Sequence, residues 1–471
     1  MQPPVITHRP HLTWTPNLSG VAVRRSRQRN TVVAVLAVMS LLTAGCGSAG
    51  EPQAAPTPVL LSPGEVQPLR SEAGRGPAAD PVEAGKVMTA WGTAVLAEVD
   101  RGTAEANIVL SPYSVYSVLA MAGQGAAGTT ADQLNEALGG DPAGQQRNVT
   151  AVDAGMASAL AAAKEFDSLV AGENVKSGER PAAGSFSLEV ANSLWARPGL
   201  GIRQEFLDAL AAGFGVGMYE TDFAADPEKA RAVINGWVSE RTGKLIPELI
   251  PENGLSADTV LALVNAVHLR AAWAQELSSP VAEPFQTPTG PVQAKMMSSF
   301  GGFGFVRGAD WQSVSIPYQG GGLAMTLVLP AEGGWDRVGA DLAAVISAAT
   351  ASTTSGYVRL RMPQFTVDTA ANLTSAMEAL GVTDLFDSSD LSGIAGEPGK
   401  LRVSNLIHRA VISVDEHGTE AAAATALLTT EEVSAPEVDL EITFDRPFYF
   451  VVHDTTTNAP LFIGQITNPV V

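Results

Sequence analysis

Asp415-Glu416-His417-Gly418-Thr419-Glu420-Ala421-Ala422-Ala423-Ala424-Thr425 is the stretch on which the reading of this chain turns. Four alanines bracketed by threonines read, in isolation, as a short helix or a plain loop. The neighbours argue otherwise. Ala426, Leu427, Leu428, Thr429, Thr430, Glu431, Glu432, Val433, Ser434, Ala435 and Pro436 follow with no core-like pattern. Strand-rich segments stand on both sides. A long unpatterned loop inside a compact domain is usually functional.

The flanking strands are legible. Val358, Leu360 and Met362 alternate with Arg359 and Arg361, and Leu440, Ile442 and Phe444 alternate with Glu441 and Thr443, as half-exposed strands do. Thr259 to Leu269 is nearly continuous apolar sequence, broken by Asn265 and His268. Leu323 to Leu329 is similar, and both fit strands buried on two faces. Phe448 to Val452 and Leu461 to Ile466 complete a β-rich C-terminus. Helix signals come earlier. Asp80-Pro81 reads as an N-cap and first helical residue, followed by Val87, Trp91, Val95 and Val99 at four-residue steps. Thr130 with Gln133 reads as a capping box ahead of Leu134 and Leu138, and Asn235 to Ile246 is helix-like. Helices early and strands late predict an α+β fold rather than a doubly wound sheet.

Composition narrows the function. The 471 residues are 45% hydrophobic and carry a net charge of −20 from 29 basic and 49 acidic side chains. Such a balance argues against a nucleic-acid partner, which needs clustered Lys and Arg. One cysteine, Cys46, excludes an intramolecular disulfide framework and a cysteine-rich zinc site. The histidines His268, His408, His417 and His453 have no metal-ligand spacing, so no metal or other cofactor is expected.

The N-terminus reads as an address. Arg24, Arg25, Arg27 and Arg29 precede the short apolar run Thr31 to Leu42, and Thr43-Ala44-Gly45-Cys46 follows. This order describes a secretory signal, too short to span a membrane. The cysteine after Ala-Gly resembles a bacterial lipobox, with Thr43 where Leu is usual. Residues 1–46 are therefore expected to be a signal peptide, with Cys46 lipidated and the mature protein anchored at the extracellular face of the membrane. Residues 47–79, rich in Pro, Ala, Gly, Ser and Glu, are expected to form a flexible tether, and 80–471 the folded domain.

No G-x-S-x-G elbow, phosphate-binding loop or dinucleotide fingerprint is present, and no catalytic constellation emerges. The protein is not expected to be an enzyme, which leaves a hydrolase or solute-binding lipoprotein without a site.

The Asp415–Thr425 stretch instead resembles the reactive-loop hinge of the serpins, and the resemblance runs from about residue 84 to Val471. Asn107-Ile-Val-Leu-Ser111-Pro112-Tyr-Ser114, Gly125-Ala126 with Thr130, Asn192-Ser-Leu-Trp195 and Ile234-Asn235-x-Trp237-Val238 look like motifs of that family. So do Thr242-Gly243-Lys244-Leu245-Ile246, Leu263-Val264-Asn265 with Trp273, Val403-Ser404-x-x-x-His408-x-Ala410 and Phe444-Asp445-Arg446-Pro447-Phe448. Leu461-Phe462-Ile463-Gly464 and Asn468-Pro469 close the chain as serpins do. Glu276-Leu277 stands where the family usually has Pro-Phe.

The resemblance implies the serpin fold: a helix-rich N-terminal part and a strand-rich C-terminal part around a large central sheet, with an exposed reactive loop over about 416–438. It implies a suicide inhibitor of a serine-type, or alternatively cysteine-type, protease. The protease cuts the loop and is trapped as an acyl-enzyme in a covalent complex while the loop enters the sheet. Loop insertion in serpins is itself a standard instance of strand addition and released strain. Glu416, Gly418, Thr419, Glu420, Ala421, Ala422, Ala423, Ala424 and Thr425 would form the hinge. Thr419, Ala421, Ala423 and Thr425 would point inward on insertion, where a charge would cost several kcal/mol in effective terms. Ser111, Ser114, Asn265 and His408 would form the polar shutter beneath the sheet, and Trp273 the breach where the loop enters. Thr419 is expected to stand in the exposed loop until cleavage. Counting from the hinge puts the reactive bond at Glu432-Val433, suiting a glutamate-specific protease. A one-residue slip to Val433-Ser434 would suit an elastase-like one. A monomer is expected. The alternative is a non-inhibitory serpin acting as a surface binding or structural protein, but such members tend to carry bulky, charged or Pro residues in the hinge.

Overall fold

The structure is a computed structural model and describes residues 68–103, 106–177, 186–351, 354–419 and 436–470, all within the compact unit Pro58–Val471. The chain runs α1 (Pro81–Thr103), β1 (Ile108–Leu110), α2 (Pro112–Gly123), α3 (Gly128–Leu138), α4 (Pro142–Ser177), β2 (Phe186–Ala196), α5 (Gln204–Phe214), β3 (Met218–Glu220) and α6 (Pro227–Arg241). Strands then take over: β4 (Leu261–Ala272), β5 (Val281–Thr287), β6 (Gly290–Arg307), β7 (Trp311–Pro317) and β8 (Leu323–Pro330). After α7 (Trp335–Ala340) and α8 (Leu342–Ala351) come β9 (Thr354–Pro363), β10 (Phe365–Asn372), α9 (Thr374–Ala379), β11 (Val403–Val414) and β12 (Gly418–Thr419). The chain closes with β13 (Leu440–Thr443), β14 (Phe448–Asp454) and β15 (Pro460–Ile466). The α+β reading holds.

Asp80 caps α1 as its sequence suggests: its Oδ1 accepts from the amides of Val82 and Glu83 at 3.0 and 3.1 Å. The capping box does not form. Ala127 occupies the N-cap position of α3 with no side-chain cap. Thr130 is buried and accepts from the Asp390 amide at 2.9 Å, while Gln133 reaches Thr383 and Asp384. The motif residues serve tertiary contacts because a partner segment, absent from the local sequence, lies against them.

Among the described residues the strands form two sheets. One has the order β10-β11-β12-β4-β2-β3, and the other β1-β15-β14-β8-β7-β6-β9-β13 with β5 on β6. β4 shows why its sequence is nearly continuous in apolar residues. Leu263, Val267 and Leu269 join the main core, whereas Ala262, Val264 and Ala266 join a second core with Ile234 and Val238 of α6. Alternate residues thus face opposite covered sides. α2 is buried along its length and touches β4 and β2 of one sheet and β15 of the other.

The body also begins earlier than the expected boundary at residue 80. Leu69 forms an antiparallel bridge to Met218 on β3, Ser71 donates to Asp208, and the Gly76 amide donates to Ala212 O at 2.7 Å. Residues 68–79 are therefore bound to the body rather than part of a free tether. Composition does not reveal this, because backbone groups make most of these contacts.

Candidate functional site

The hinge stretch begins where β11 ends at Val414. Asp415 turns the chain: its Oδ1 accepts from the amides of His417 at 2.8 Å and Gly418 at 3.1 Å. Its own amide donates to Gly418 O at 2.9 Å. The two residues of β12 then lie between β11 and β4. Thr419 pairs with Val414 on one side, and Gly418 and Thr419 pair with Ala272 and Ala271 on the other. Glycine is required here: Gly418 has φ of +155°, and a Cβ would sit 2.1 Å from Ala271 O.

Thr419 is fully buried. This corrects the expectation that it stands in an exposed loop. Its hydroxyl lies 2.7 Å from the Tyr318 hydroxyl, and the Tyr318 ring stacks on Trp273 with centroids 4.5 Å apart at 15°. Burial pushes the Tyr318 phenol above its ordinary value. The small side chain and paired backbone let Thr419 occupy the sheet with its polar groups satisfied.

Trp273 ties the turn at Asp415 to the end of β4. Its amide donates to His417 O at 2.9 Å and its indole Nε1 donates to Asp415 O at 3.0 Å. The Leu277 amide donates to Glu416 O at 2.9 Å, and Gln364 Nε2 donates to Glu416 Oε2 at 2.6 Å. His417 Nδ1 lies 3.4 Å from Glu276 Oε1.

The four residues expected at the shutter, Ser111, Ser114, Asn265 and His408, are all fully buried, and the fold brings them together. Asn265 on β4 and His408 on β11 are register partners, with Asn265 Oδ1 2.6 Å from His408 Nδ1. Asn265 Nδ2 donates to Ser114 Oγ and to Asn192 Oδ1, and Ser114 Oγ donates to Asn192 Oδ1. The Ser111 amide donates to His408 Nε2 at 3.2 Å, so Nδ1 carries the imidazole proton. Burial pushes the His408 pKa down to about 3. His408 is therefore a neutral structural element.

Below β12, β11 pairs directly and in parallel with β4 from Val403/Leu261 to Ala410/Val267, with one irregularity after Val403. β12 runs antiparallel to both neighbours. A chain continuing in the direction of β12 would replace one parallel ladder with two antiparallel ones. Parallel pairing is slightly less stable per residue than antiparallel pairing.

Three participants were not singled out from sequence. Asn192 joins the Ser114–Asn265 network and pairs in register with Asn265; Tyr318 clamps Thr419; Gln364 holds Glu416. Asn192 lies inside a quoted motif and could have been found there, whereas Tyr318 and Gln364 carry no local signal. Glu420, Ala421, Ala422, Ala423, Ala424, Thr425, Glu432, Val433, Ser434 and Cys46 lie outside the described residues. Among the described residues no group of three His, Cys, Asp or Glu side chains is arranged to hold a metal ion.

Comparison with known proteins agrees with this geometry. The model of the family Serpin (serine protease inhibitor) matches residues 86–469. An uncharacterized serpin-like protein of Thermococcus kodakarensis is 32% identical over 368 residues, covering 77% of this chain and 81% of that protein. The leukocyte elastase inhibitor of Bos taurus is 30% identical over 379 residues, 77% of this chain and 93% of that protein. The crystal structure of Serpin48 from the insect Tenebrio molitor, described as a highly specific serpin, aligns with a TM-score of 0.65 at 25% identity, covering 82% of this chain and 98% of that one. With the Asp415–Thr419 turn seated beside Trp273, a buried hydrogen-bond network joining β4 and β11, and a family match along most of its length, the chain belongs to the serpin family.

Proposed function

We propose that this serpin inhibits a serine-type protease by offering residues 420–435 as bait and inserting the cut loop between β11 and β4. The observation that carries this reading is the placement of β12. Gly418 and Thr419 already lie antiparallel to both neighbours, at the head of the seam that further insertion would part. Beyond Thr419, the positions that would face inward on insertion, Ala421, Ala423 and Thr425, are small and uncharged, so none would bury a charge.

The reactive bond of this reading is Glu432-Val433, with Val433-Ser434 one residue on. The elastase inhibitor among the relatives supports trying an elastase alongside a glutamate-specific protease. The test is incubation with a panel of serine proteases, followed by denaturing gel electrophoresis. A covalent complex is expected, releasing a C-terminal peptide that starts at Val433, or at Ser434 for the alternative. Complete cleavage without any complex would leave a non-inhibitory binding protein.

The same reading makes the protein a monomer held at the outer membrane surface by lipid on Cys46. Cys46→Ala should release a soluble, still inhibitory domain, and unchanged membrane retention would sink the anchor.

A further inference from the structure

The turn that seats β12 carries a titratable group of its own. His417 lies between two carboxylates: its Nδ1 is 3.4 Å from Glu276 Oε1 and its Nε2 is 3.9 Å from Glu416 Oε1. Among the described residues neither carboxylate pairs with a Lys or Arg, and Gln364, which donates to Glu416, is neutral. The Asp415 carboxylate is turned back on the His417 and Gly418 amides. Tyr318, stacked on Trp273, is kept uncharged by burial. Lys295 of β6 meets this corner through its carbonyl oxygen, which accepts from the Gln364 amide at 2.8 Å. The side chains of His417, Glu276 and Glu416 are 29%, 24% and 22% exposed, so protons reach the ring while solvent screens its charge only in part.

The cluster acts on the backbone bonds that hold the turn. The Trp273 amide donates to His417 O and the Leu277 amide to Glu416 O, both at 2.9 Å. Glu276 stands between these two donors in the chain, so a force on its carboxylate bears on both. A neutral imidazole has one N–H and can donate to only one of the two carboxylates, whereas an imidazolium has two. Histidine is the side chain whose charge changes between pH 5 and 8. With the ring neutral, two like charges flank an uncharged group. One added proton places a cation between them.

We propose that His417, with Glu276 and Glu416, is a proton-operated fastener of the turn: taking up one proton draws both carboxylates onto the ring and holds β12 in the sheet, and losing it loosens the turn. The contribution is present at acid pH and is lost as the pH rises, opposite in sign to that of a histidine buried in its neutral form. Burial keeps His408 and His453, at about 3 and about 4, neutral between pH 8 and 5.5. A response of the turn over that range therefore does not come from them. The proposal concerns the seating of β12 and stands whether or not the chain traps a protease.

The test is amide hydrogen exchange of the full chain at pH 8 and pH 5.5, read as protection factors so that the pH dependence of the chemical step cancels. The reporting amides are those of Trp273, Leu277 and Gly418, which donate into or within the turn. In the wild type their protection should rise about three- to fivefold from pH 8 to pH 5.5, the range of a partly exposed ion pair. His417→Gln should show no rise, and Glu276→Gln should lose most of it. His417→Lys, a permanent cation, should hold the acid level of protection at both pH values. The amides of β14 are the reference and should show no rise in any of these chains. Turn protection that is unchanged or falls on acidification of the wild type overturns the proposal. A full rise in either His417→Gln or Glu276→Gln overturns it as well, so Glu276→Gln decides alone if His417→Gln does not fold. A rise shared by the β14 amides would belong to the whole body and not to the turn, which also overturns it.

Discussion

His408 on β11 and Asn265 on β4 face one another across the seam between the two strands, His408 Nδ1 donating to Asn265 Oδ1 at 2.6 Å. This bond spans the place that a further strand would part under the inhibitory reading. With the Ser111 amide donating to Nε2, both ring nitrogens are engaged only while the imidazole is neutral. A second proton would aim an N–H at another N–H.

That arrangement predicts acid sensitivity. Burial pushes His408 from an ordinary 6.5 down to about 3, so the unfolded chain takes up a proton over a range where the folded chain does not. Stability is therefore full above pH 6.5 and falls as the pH drops towards 3, by up to about 1.4 kcal/mol per unit from this one group. His453, pushed down to about 4 by burial, adds a slope of the same sign. Denaturant unfolding at pH 7, 5.5 and 4 should show a shallower dependence in His408→Gln than in wild type. Identical slopes would rule out the imidazole as the sensor.

Thr419→Arg should perturb the intact protein as well as its insertion. Thr419 is buried against Tyr318, so the guanidinium cannot take its place, and β12 should leave the sheet. Losing its hydrogen bonds should cost about 1–3 kcal/mol. The variant should then be cut as a substrate without trapping protease, because insertion would have to bury the charge. A melting curve and a complex-formation gel check both parts. Wild-type stoichiometry of covalent complex would mean that inhibition does not proceed through this register.

Tyr318→Phe removes only the hydroxyl that meets Thr419. In a double-mutant cycle with Thr419→Val, the coupling should be about 0.5–1.5 kcal/mol, the net worth of one buried hydrogen bond. Additive effects would show that the contact holds nothing in place.

Gly418→Ala should loosen the hinge without any change of charge. Its new methyl would meet the Ala271 carbonyl in a backbone conformation that disfavours L side chains, a strain of about 1–3 kcal/mol. Amide exchange at Gly418 and Thr419 should speed up while that of the β14 amides stays slow. Unchanged protection at the hinge would contradict the paired geometry.

Cleavage within residues 420–435 should raise the melting temperature by upwards of about 10 °C. An inserted strand adds on the order of ten hydrogen bonds at about 0.5–1.5 kcal/mol each. Calorimetry of intact and nicked protein decides this, and coincident transitions would exclude insertion.

The sequence alone carried the α+β class, the two-faced burial of β4 and the Asp80 cap. Hydrophobic periodicity and capping chemistry are written within a few residues of where they act. It also singled out Ser111, Ser114, Asn265 and His408, which the fold brings together, through spaced motifs rather than through any local pattern. Tertiary structure alone decided that Thr419 sits in the sheet, since its burial depends on Ala271 of β4, Val414 of β11 and Tyr318, just beyond β7, arriving from distant parts of the chain. It likewise turned Thr130 and Gln133 from a cap into contacts with Asp390, Thr383 and Asp384. The same holds for residues 68–79, whose backbone hydrogen bonds to β3 and α5 leave no mark in composition. Periodicity reports that a side chain is covered; which residue covers it depends on how distant segments pack, and a local reading contains no term for that.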